Sequence, residues 1–72
     1  MEIKELYIII HESRGFFGGF NGFGTLYTKK VANARFFDNL EGAENQKLAI
    51  REKNNVSIFK LEIDMKEVKW DI

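Results

Sequence analysis

The sequence predicts an α+β domain in which helices pack on one face of a small antiparallel sheet. The expected order is ββααβ, with a fourth strand at the C-terminus as an alternative. Two stretches near the ends of the chain have the β-branched and aromatic composition of strands, and apolar residues recur at helical spacing between them. The absence of proline removes the usual signal of a linker, so residues 1–72 form a single predicted domain.

The first predicted strand is Ile3 to His11 (IKELYIIIH), which is β-branched and aromatic at its centre. Side chains alternate between the two faces of a strand. One face carries Leu6, Ile8 and Ile10, and the other carries Tyr7, Ile9 and His11. Both faces are apolar at the middle of the strand, which predicts a central strand that is covered on both sides.

A segment rich in glycine and phenylalanine follows. Residues 14–25 read RGFFGGFNGFGT, with four phenylalanines among five glycines. Residues Phe23 to Thr28 (FGTLYT) predict a second strand that returns antiparallel to the first. Because glycine weakens a strand and often marks a bend, we expect a distorted hairpin with a mobile tip around residues 14–22.

Helical periodicity begins after Thr28. The apolar residues at helical spacing are Ala32, Phe36, Leu40, Ala43 and Ile50. Thr28 is an acceptable N-cap, and Asp38 followed by Glu41 has the spacing of a capping box. We therefore expect a short helix near residues 29–35 and a longer one over 39–53, with one continuous helix as the alternative.

The last predicted strand is Val56 to Asp64 (VSIFKLEID). Apolar and charged residues alternate along it: Phe59, Leu61 and Ile63 on one side, Lys60, Glu62 and Asp64 on the other. This alternation predicts one buried face and one largely wet face. The apolar alternation continues over residues 68–72, either as the same strand beyond a bend or as a fourth strand.

The predicted sheet has two apolar faces, and the predicted helices do not cover both of them. A single layer of helices covers one face only, yet the second face is also apolar. Its residues are Tyr7, Ile9, Val56 and Ile58. Unless the aromatic hairpin folds over that face, it is available to another chain, so we expect a homo-oligomer, with a dimer favoured, or a protein partner.

Composition excludes several functional classes. The chain has no cysteine, which fits a reducing cytoplasm, and its longest purely apolar run, Leu6 to Ile10, is far shorter than a membrane span. We therefore expect a cytoplasmic protein without a membrane partner. One histidine and no cysteine leave only dispersed carboxylates as metal ligands, so no metal site and no cofactor are predicted.

Catalytic residues are not predicted either. The single histidine, His11, is followed by Glu12 and Ser13, but consecutive residues at a strand end point in alternating directions. We interpret these three residues as a polar strand end that enters a turn. The sequence therefore predicts a protein that is not an enzyme.

Phosphate-binding loops are excluded by the details of the glycine-rich segment. Gly19 to Thr25 (GFNGFGT) has the outer spacing of a P-loop, but it lacks the lysine that precedes the final threonine and leads into a strand. A dinucleotide fingerprint is also absent, because no third glycine follows Gly22 and Gly24 at the required position.

Single-stranded nucleic-acid binding remains as an alternative. Between Ser13 and Phe37 every charged side chain is basic: Arg14, Lys29, Lys30 and Arg35. Beside the four phenylalanines of the hairpin, these residues would form a stacking platform with phosphate contacts. The zero net charge argues against this function, because a protein that holds a polyanion is usually basic.

The leading interpretation is a protein-binding hairpin. Its predicted anchors are Phe16, Phe17, Phe20 and Phe23, with Arg14 at the rim. One or two of these rings are expected to extend the core by lying over bare glycine backbone. A hairpin alternates its faces, however, so all four rings cannot face one core. The others form an exposed aromatic cluster of the kind that makes interface hot spots.

The order of these features resembles that of many small proteins of bacteriophages and prophages. The resemblance covers residues 3–63 in outline. It rests on the N-terminal strand, the aromatic hairpin, a threonine-led helix with Lys30, Ala32 and Phe36 or Phe37, a second helix with Ala43, and the strand VSIFKLEI. It implies an accessory protein that binds and inhibits a host enzyme or defence system. A second function implied by the resemblance is an oligomer that sequesters a nucleotide signal, with phosphates held by Arg14, Lys29, Lys30 or Arg35.

Overall fold

A computed structural model describes the backbone of residues 3–64 and the side chains of residues 5–62. The strands are β1 Ile3–His11, β2 Gly15–Asn21, β3 Gly24–Thr28, β4 Phe36–Phe37 and β5 Val56–Asp64. One α-helix, α1, covers Leu40–Ala49, and 3-10 turns cover Val31–Asn33 and Lys53–Asn55. The predicted alternation over residues 68–72 lies outside the described residues.

β1 is the centre of an antiparallel sheet. It pairs along its whole length with β5, from Ile3 opposite Asp64 to His11 opposite Val56. Its other edge is shared, because the C-terminal end of β1 pairs with β2 and its middle pairs with β4. β3 lies outside β2, which gives the order β3-β2-β1-β4 with β5 on the free side of β1. The central position predicted for residues 3–11 is confirmed.

The predicted fold class, ββααβ with helices packed on one face, is wrong. The described chain has the order ββββαβ with a single α-helix. Residues 29–35, expected to form the first helix, contain only the turn Val31–Asn33, and Phe36–Phe37, just beyond the predicted end of that helix, form the two-residue strand β4. The spacing between Ala32 and Phe36 looks helical, but β1 offers free backbone groups opposite β4, and pairing with them satisfies that backbone.

The predicted start and end of the longer helix also need correction. The N-cap of α1 is Asn39, whose side chain accepts a hydrogen bond from the Gly42 amide at 2.6 Å, so Asp38 is not the cap. The Asp38 carboxylate instead accepts a hydrogen bond from the Asn39 side chain at 2.9 Å. The helix ends at Ala49, short of the predicted residue 53, because the chain turns there to bring Ile50 into the core.

The helix lies over the face of the sheet that carries Ile9. The core on this face consists of Ile9, Phe17, Ile50 and Val56, with Tyr27, Phe37 and Ile58 packed against it. The face of β5 predicted to be buried is the opposite one, and Phe59 on that face is 49% exposed. The prediction of which β5 face is buried is therefore wrong. Lys60 and Glu62 share the helix-covered side but lie further along β5, where Lys60 pairs with Glu5 and Glu62.

Candidate interaction surface

The aromatic segment forms a regular hairpin, β2–β3. Backbone pairs run from Phe16 opposite Thr28 to Asn21 opposite Gly24, with one irregularity between Phe17 and Gly19. Residues 15–21, expected as part of a mobile tip, are therefore a strand. Backbone hydrogen bonds can form this ladder despite its glycines, since they do not depend on side chains.

The four predicted phenylalanine anchors occupy different environments. Phe17 is completely buried in the core, and the Phe20 ring packs edge to face against it with centroids 5.3 Å apart. Phe20 is nevertheless 47% exposed, and Phe23 is fully exposed at the end of the hairpin. Phe16 is half-buried on the opposite face, beside Ile10 of β1. The alternation expected of a hairpin thus places Phe17 in the core and Phe16 on the opposite face of the sheet, and Phe20 and Phe23 are exposed.

The end of the hairpin is held in one conformation by local contacts. The Asn21 side chain accepts a hydrogen bond from the Phe23 amide at 2.8 Å, which closes a tight turn over Gly22. Gly24 follows with a φ of +130°, a conformation that side-chain-bearing residues rarely adopt. We call the exposed rings of Phe20 and Phe23 the hairpin tip.

The base of the hairpin is built from polar contacts around His11. This side chain is only 7% exposed, and its Nδ1 accepts hydrogen bonds from the backbone amides of Ser13 and Arg14, both at 3.1 Å. Nδ1 must therefore be unprotonated in this arrangement. Gly15 has a φ of +97°, and a Cβ there would lie 2.6 Å from the Thr28 carbonyl oxygen. The predicted polar strand end is a capped turn.

Tyr27 links the base of the hairpin to the loop after α1. Its ring packs against His11 with centroids 5.0 Å apart, the Arg14 guanidinium lies 5.9 Å from its centre, and its hydroxyl donates to Glu52 at 3.3 Å. Arg14 also forms an ion pair with Glu52 at 3.8 Å. Burial and the neighbouring Glu52 carboxylate raise the pKa of the Tyr27 hydroxyl, whereas Arg14 opposes that rise. These contacts favour the neutral phenol.

Two of the basic residues predicted as ligands or rim charges, Arg14 and Lys29, lie at the base of the hairpin and not at its tip. Arg14 is engaged at the base, where the Lys29 ammonium also donates to the Ser13 carbonyl at 2.9 Å. Lys30 follows it and is exposed, and the Arg35 guanidinium lies 5.9 Å from the centre of the Phe37 ring. The length of β2 separates Arg14 from the tip by about 20 Å, at the usual rise per residue of a strand. The structure therefore separates the exposed rings of Phe20 and Phe23 from Arg14 and Lys29.

Two exposed apolar side chains outside the hairpin were missed in the sequence. Phe36 is 40% exposed and Phe59 is 49% exposed. Both were assigned to a buried pattern, Phe36 on a helix and Phe59 on the buried face of a strand. Their register opposite Ile8, on either side of β1, places them on the sheet face away from α1. Only the strand pairing shows on which face of the sheet Phe36 and Phe59 lie. The spacing of apolar residues in the sequence does not reveal that pairing.

Within residues 3–64, no helix has the length and apolar character that crossing a membrane requires. The described side chains contain no group of three or more histidine, aspartate or glutamate residues that could hold a metal ion. Comparisons with models of protein families, with curated proteins and with solved structures find no match to this chain.

Proposed function

We propose that this protein is a non-enzymatic interaction module that docks its hairpin tip, Phe20 and Phe23, into an apolar pocket of a partner protein. The observation that carries the proposal is the complete exposure of the Phe23 ring at the end of an ordered two-stranded hairpin. A ring left in water at a convex point of the surface contributes nothing to the fold. Its burial becomes favourable only when a concave partner covers it.

The tip is suited to binding because little conformational freedom remains to be lost. The Asn21 side chain holds the Phe23 amide, and the Phe20 ring already rests on the buried Phe17 ring. A phenylalanine has two side-chain torsions, so each ring offers a large contact area at a small entropic cost on binding. These contacts therefore favour a preformed binding element over a segment that folds on its partner.

The charge pattern of the hairpin indicates the chemistry of the partner surface. No residue from Gly15 to Thr28 carries a charged side chain. A complementary pocket is therefore apolar, and the binding free energy comes mainly from burial of the two rings. Such binding depends weakly on salt, whereas binding to a nucleic acid through Arg14, Lys29 and Lys30 would weaken steeply as salt rises.

In the setting that the resemblance to small phage proteins implies, the partner is a host protein in the cytoplasm. A domain of 72 residues that occupies a functional pocket of an enzyme blocks it without chemistry of its own. We therefore propose inhibition by occlusion, with an anti-defence role as the biological form of that inhibition.

The experiment is affinity capture from host lysate with three forms of the full chain: wild type, Phe23→Ala and the control Leu48→Ala. Leu48 is 69% exposed on α1, so the control removes a comparably exposed apolar side chain elsewhere on the surface. We expect one protein to be retained by wild type and by Leu48→Ala and to be lost with Phe23→Ala. The purified partner should then bind with an affinity that changes less than about threefold between 50 and 300 mM salt.

Equal retention by all three forms would show that the hairpin tip is not the docking surface. An affinity that falls by more than a hundredfold over the same salt range would instead indicate a charged ligand. Because circular dichroism and thermal unfolding are measured for each variant, loss of binding is separated from loss of the fold.

A further inference from the structure

The turn between the two rings of the hairpin tip contains a pair of residues with a chemistry of its own. Asn21 is followed by Gly22, and no other asparagine of the chain precedes a glycine. In such a pair the backbone nitrogen of the glycine can attack the side-chain amide carbon of the asparagine, because glycine has no side chain to hinder the approach. The reaction removes ammonia from the asparagine and is called deamidation.

The structure leaves both reacting groups accessible. Asn21 and Gly22 are exposed, and a Cβ added at Gly22 would meet no atom within 4 Å. Within residues 3–64, neither the Gly22 amide nor the carboxamide nitrogen of Asn21 takes part in a hydrogen bond. The nucleophile, which is the Gly22 nitrogen, and the leaving group, which is the Asn21 amide nitrogen, are therefore not held by other contacts of the fold.

The hydrogen bond that closes the turn assists this attack. Asn21 Oδ1 accepts it from the Phe23 amide at 2.8 Å, so the Asn21 side chain folds back across the peptide bond to Gly22. A donor at Oδ1 stabilises the negative charge that this oxygen gains when the Gly22 nitrogen adds to the carboxamide carbon. The end of a hairpin also opens locally at a small cost in free energy, which allows the two atoms to complete their approach.

We propose that Asn21–Gly22 is a deamidation site that converts the turn between Phe20 and Phe23 from an uncharged into a charged segment as the protein ages. The Gly22 nitrogen forms a bond to Asn21 Cγ, the Cγ–Nδ2 bond breaks, and Nδ2 leaves as ammonia with the proton of the Gly22 amide. The product is a succinimide ring. Water from the solvent then opens the ring at one of its two carbonyl carbons and gives aspartate or isoaspartate.

Both products place a carboxylate at position 21, in a hairpin whose residues 15–28 carry no charge. An apolar pocket that covers Phe20 and Phe23 would have to take up this charge without a partner, which is unfavourable. Isoaspartate also lengthens the backbone by a methylene group at the last pair of the ladder, Asn21 opposite Gly24. Deamidation should therefore weaken docking. This consequence rests on the proposed function, whereas the reaction itself does not.

The test is peptide mass spectrometry of the full chain after incubation at pH 7 and at pH 9, compared with a sample digested at once. Trypsin releases residues 15–29 as one peptide, and Asn21 is its only residue with a side-chain amide. We expect the mass of this peptide to rise by the difference between OH and NH₂. The rise should be faster at pH 9, because the Gly22 nitrogen attacks after it has lost its proton to hydroxide.

Two controls separate this site from general hydrolysis of amides. Gly22→Ala should keep the fold, since its Cβ meets no neighbouring atom, but its methyl group hinders the attack and should slow the mass change at least about tenfold. The tryptic peptide of residues 36–47 contains Asn39 and Asn45, neither of which precedes a glycine, and should keep its mass in the same samples.

An unchanged mass of the 15–29 peptide at pH 9, or equal rates in wild type and Gly22→Ala, would overturn the deamidation site. Its consequence is tested with Asn21→Asp, which should raise the Kd for the captured partner at least about tenfold while thermal unfolding shows that it is folded. Wild-type affinity of Asn21→Asp would overturn the effect on docking. Capture that does not depend on Phe23 would overturn the proposed function instead, and the peptide mass would still decide the deamidation site.

Discussion

The two ends of the β2–β3 hairpin differ in how their side chains are used. At the base, His11 caps the turn, Gly15 brings two strands into close contact, and Tyr27 joins the hairpin to Glu52. At the tip, Phe23 contacts almost nothing and is fully exposed. The polar groups of the base form hydrogen bonds within the fold, whereas the apolar ring at the tip is exposed to water. The base of the hairpin is therefore fixed by contacts with the rest of the fold, and the Phe23 ring at the tip is not.

The contrast predicts that the loss of stability decreases from the most buried residues of the hairpin region to the exposed tip, whereas the loss of partner binding is greatest at the tip. The variants below follow that order, from the largest expected loss of stability to the smallest.

Phe17→Ala should have the largest effect. This ring is completely buried against Ile9, Ile50 and Val56, and its removal leaves a cavity that the small core cannot fill. We expect a loss of about 3–5 kcal/mol in the free energy of unfolding, measured by urea denaturation. A loss below 1 kcal/mol would show that the core does not depend on the hairpin.

Gly15→Ala should come next. A methyl group at this position would lie 2.6 Å from the Thr28 carbonyl oxygen, and the backbone φ is +97°. Steric overlap and backbone strain together should cost about 2–4 kcal/mol, read from the same denaturation experiment. The control is Gly22→Ala, where a Cβ meets no atom within 4 Å and φ is not positive, so stability should change by less than about 0.5 kcal/mol.

His11→Ala should remove the acceptor of two backbone amides, those of Ser13 and Arg14. Leaving these donors without a partner should cost about 1–3 kcal/mol. His11→Asn is the matched control, because its side-chain oxygen occupies a position similar to that of Nδ1 and should recover part of the loss. Equal stability of the two variants would mean that the cap contributes little.

Alkaline pH should weaken the link between Tyr27 and Glu52. Burial and the Glu52 carboxylate raise the pKa of the Tyr27 hydroxyl, so the folded protein keeps a proton that the unfolded chain loses above about pH 10. The stability due to this difference is complete below pH 10 and is lost as pH rises through the folded pKa. Between pH 9 and pH 11, the denaturation midpoint should therefore fall more for wild type than for Tyr27→Phe. A fall of equal size in both would remove Tyr27 as the cause.

The sequence was sufficient to predict the two long strands because each is defined by its own residues. Residues 3–11 and 56–64 are apolar and β-branched, and both form strands in the structure. It was insufficient for β4, because two residues have no periodicity, and only the free edge of β1 selects them as a strand. β2 was missed for a related reason. Its glycines disfavour a strand locally, and its backbone pairing with β3 outweighs them.

The sequence predicted an exposed aromatic cluster on the hairpin but did not show which rings belong to it. The sequence showed that four rings on one hairpin cannot share one core, yet nothing in it distinguished Phe17, which is buried, from Phe23, which is exposed. The register of β2 and the turn after Asn21 decide this, and both depend on contacts with other strands. The prediction that Ile9, Val56 and Ile58 lie on a face left uncovered by helices is wrong, because Ile9 and Val56 are in the core and Ile58 packs against it. Alternation along β5 shows two faces without showing which one α1 covers.

The measurement that tests the central claim most directly is the dissociation constant of Phe23→Ala for the captured partner, compared with that of wild type. Because Phe23 is fully exposed, its removal should change the free energy of unfolding by less than about 0.5 kcal/mol. As an interface anchor, it should raise Kd by at least about 30-fold. A Kd within threefold of the wild-type value, in a variant of unchanged stability, would contradict the assignment of the hairpin tip as the docking surface.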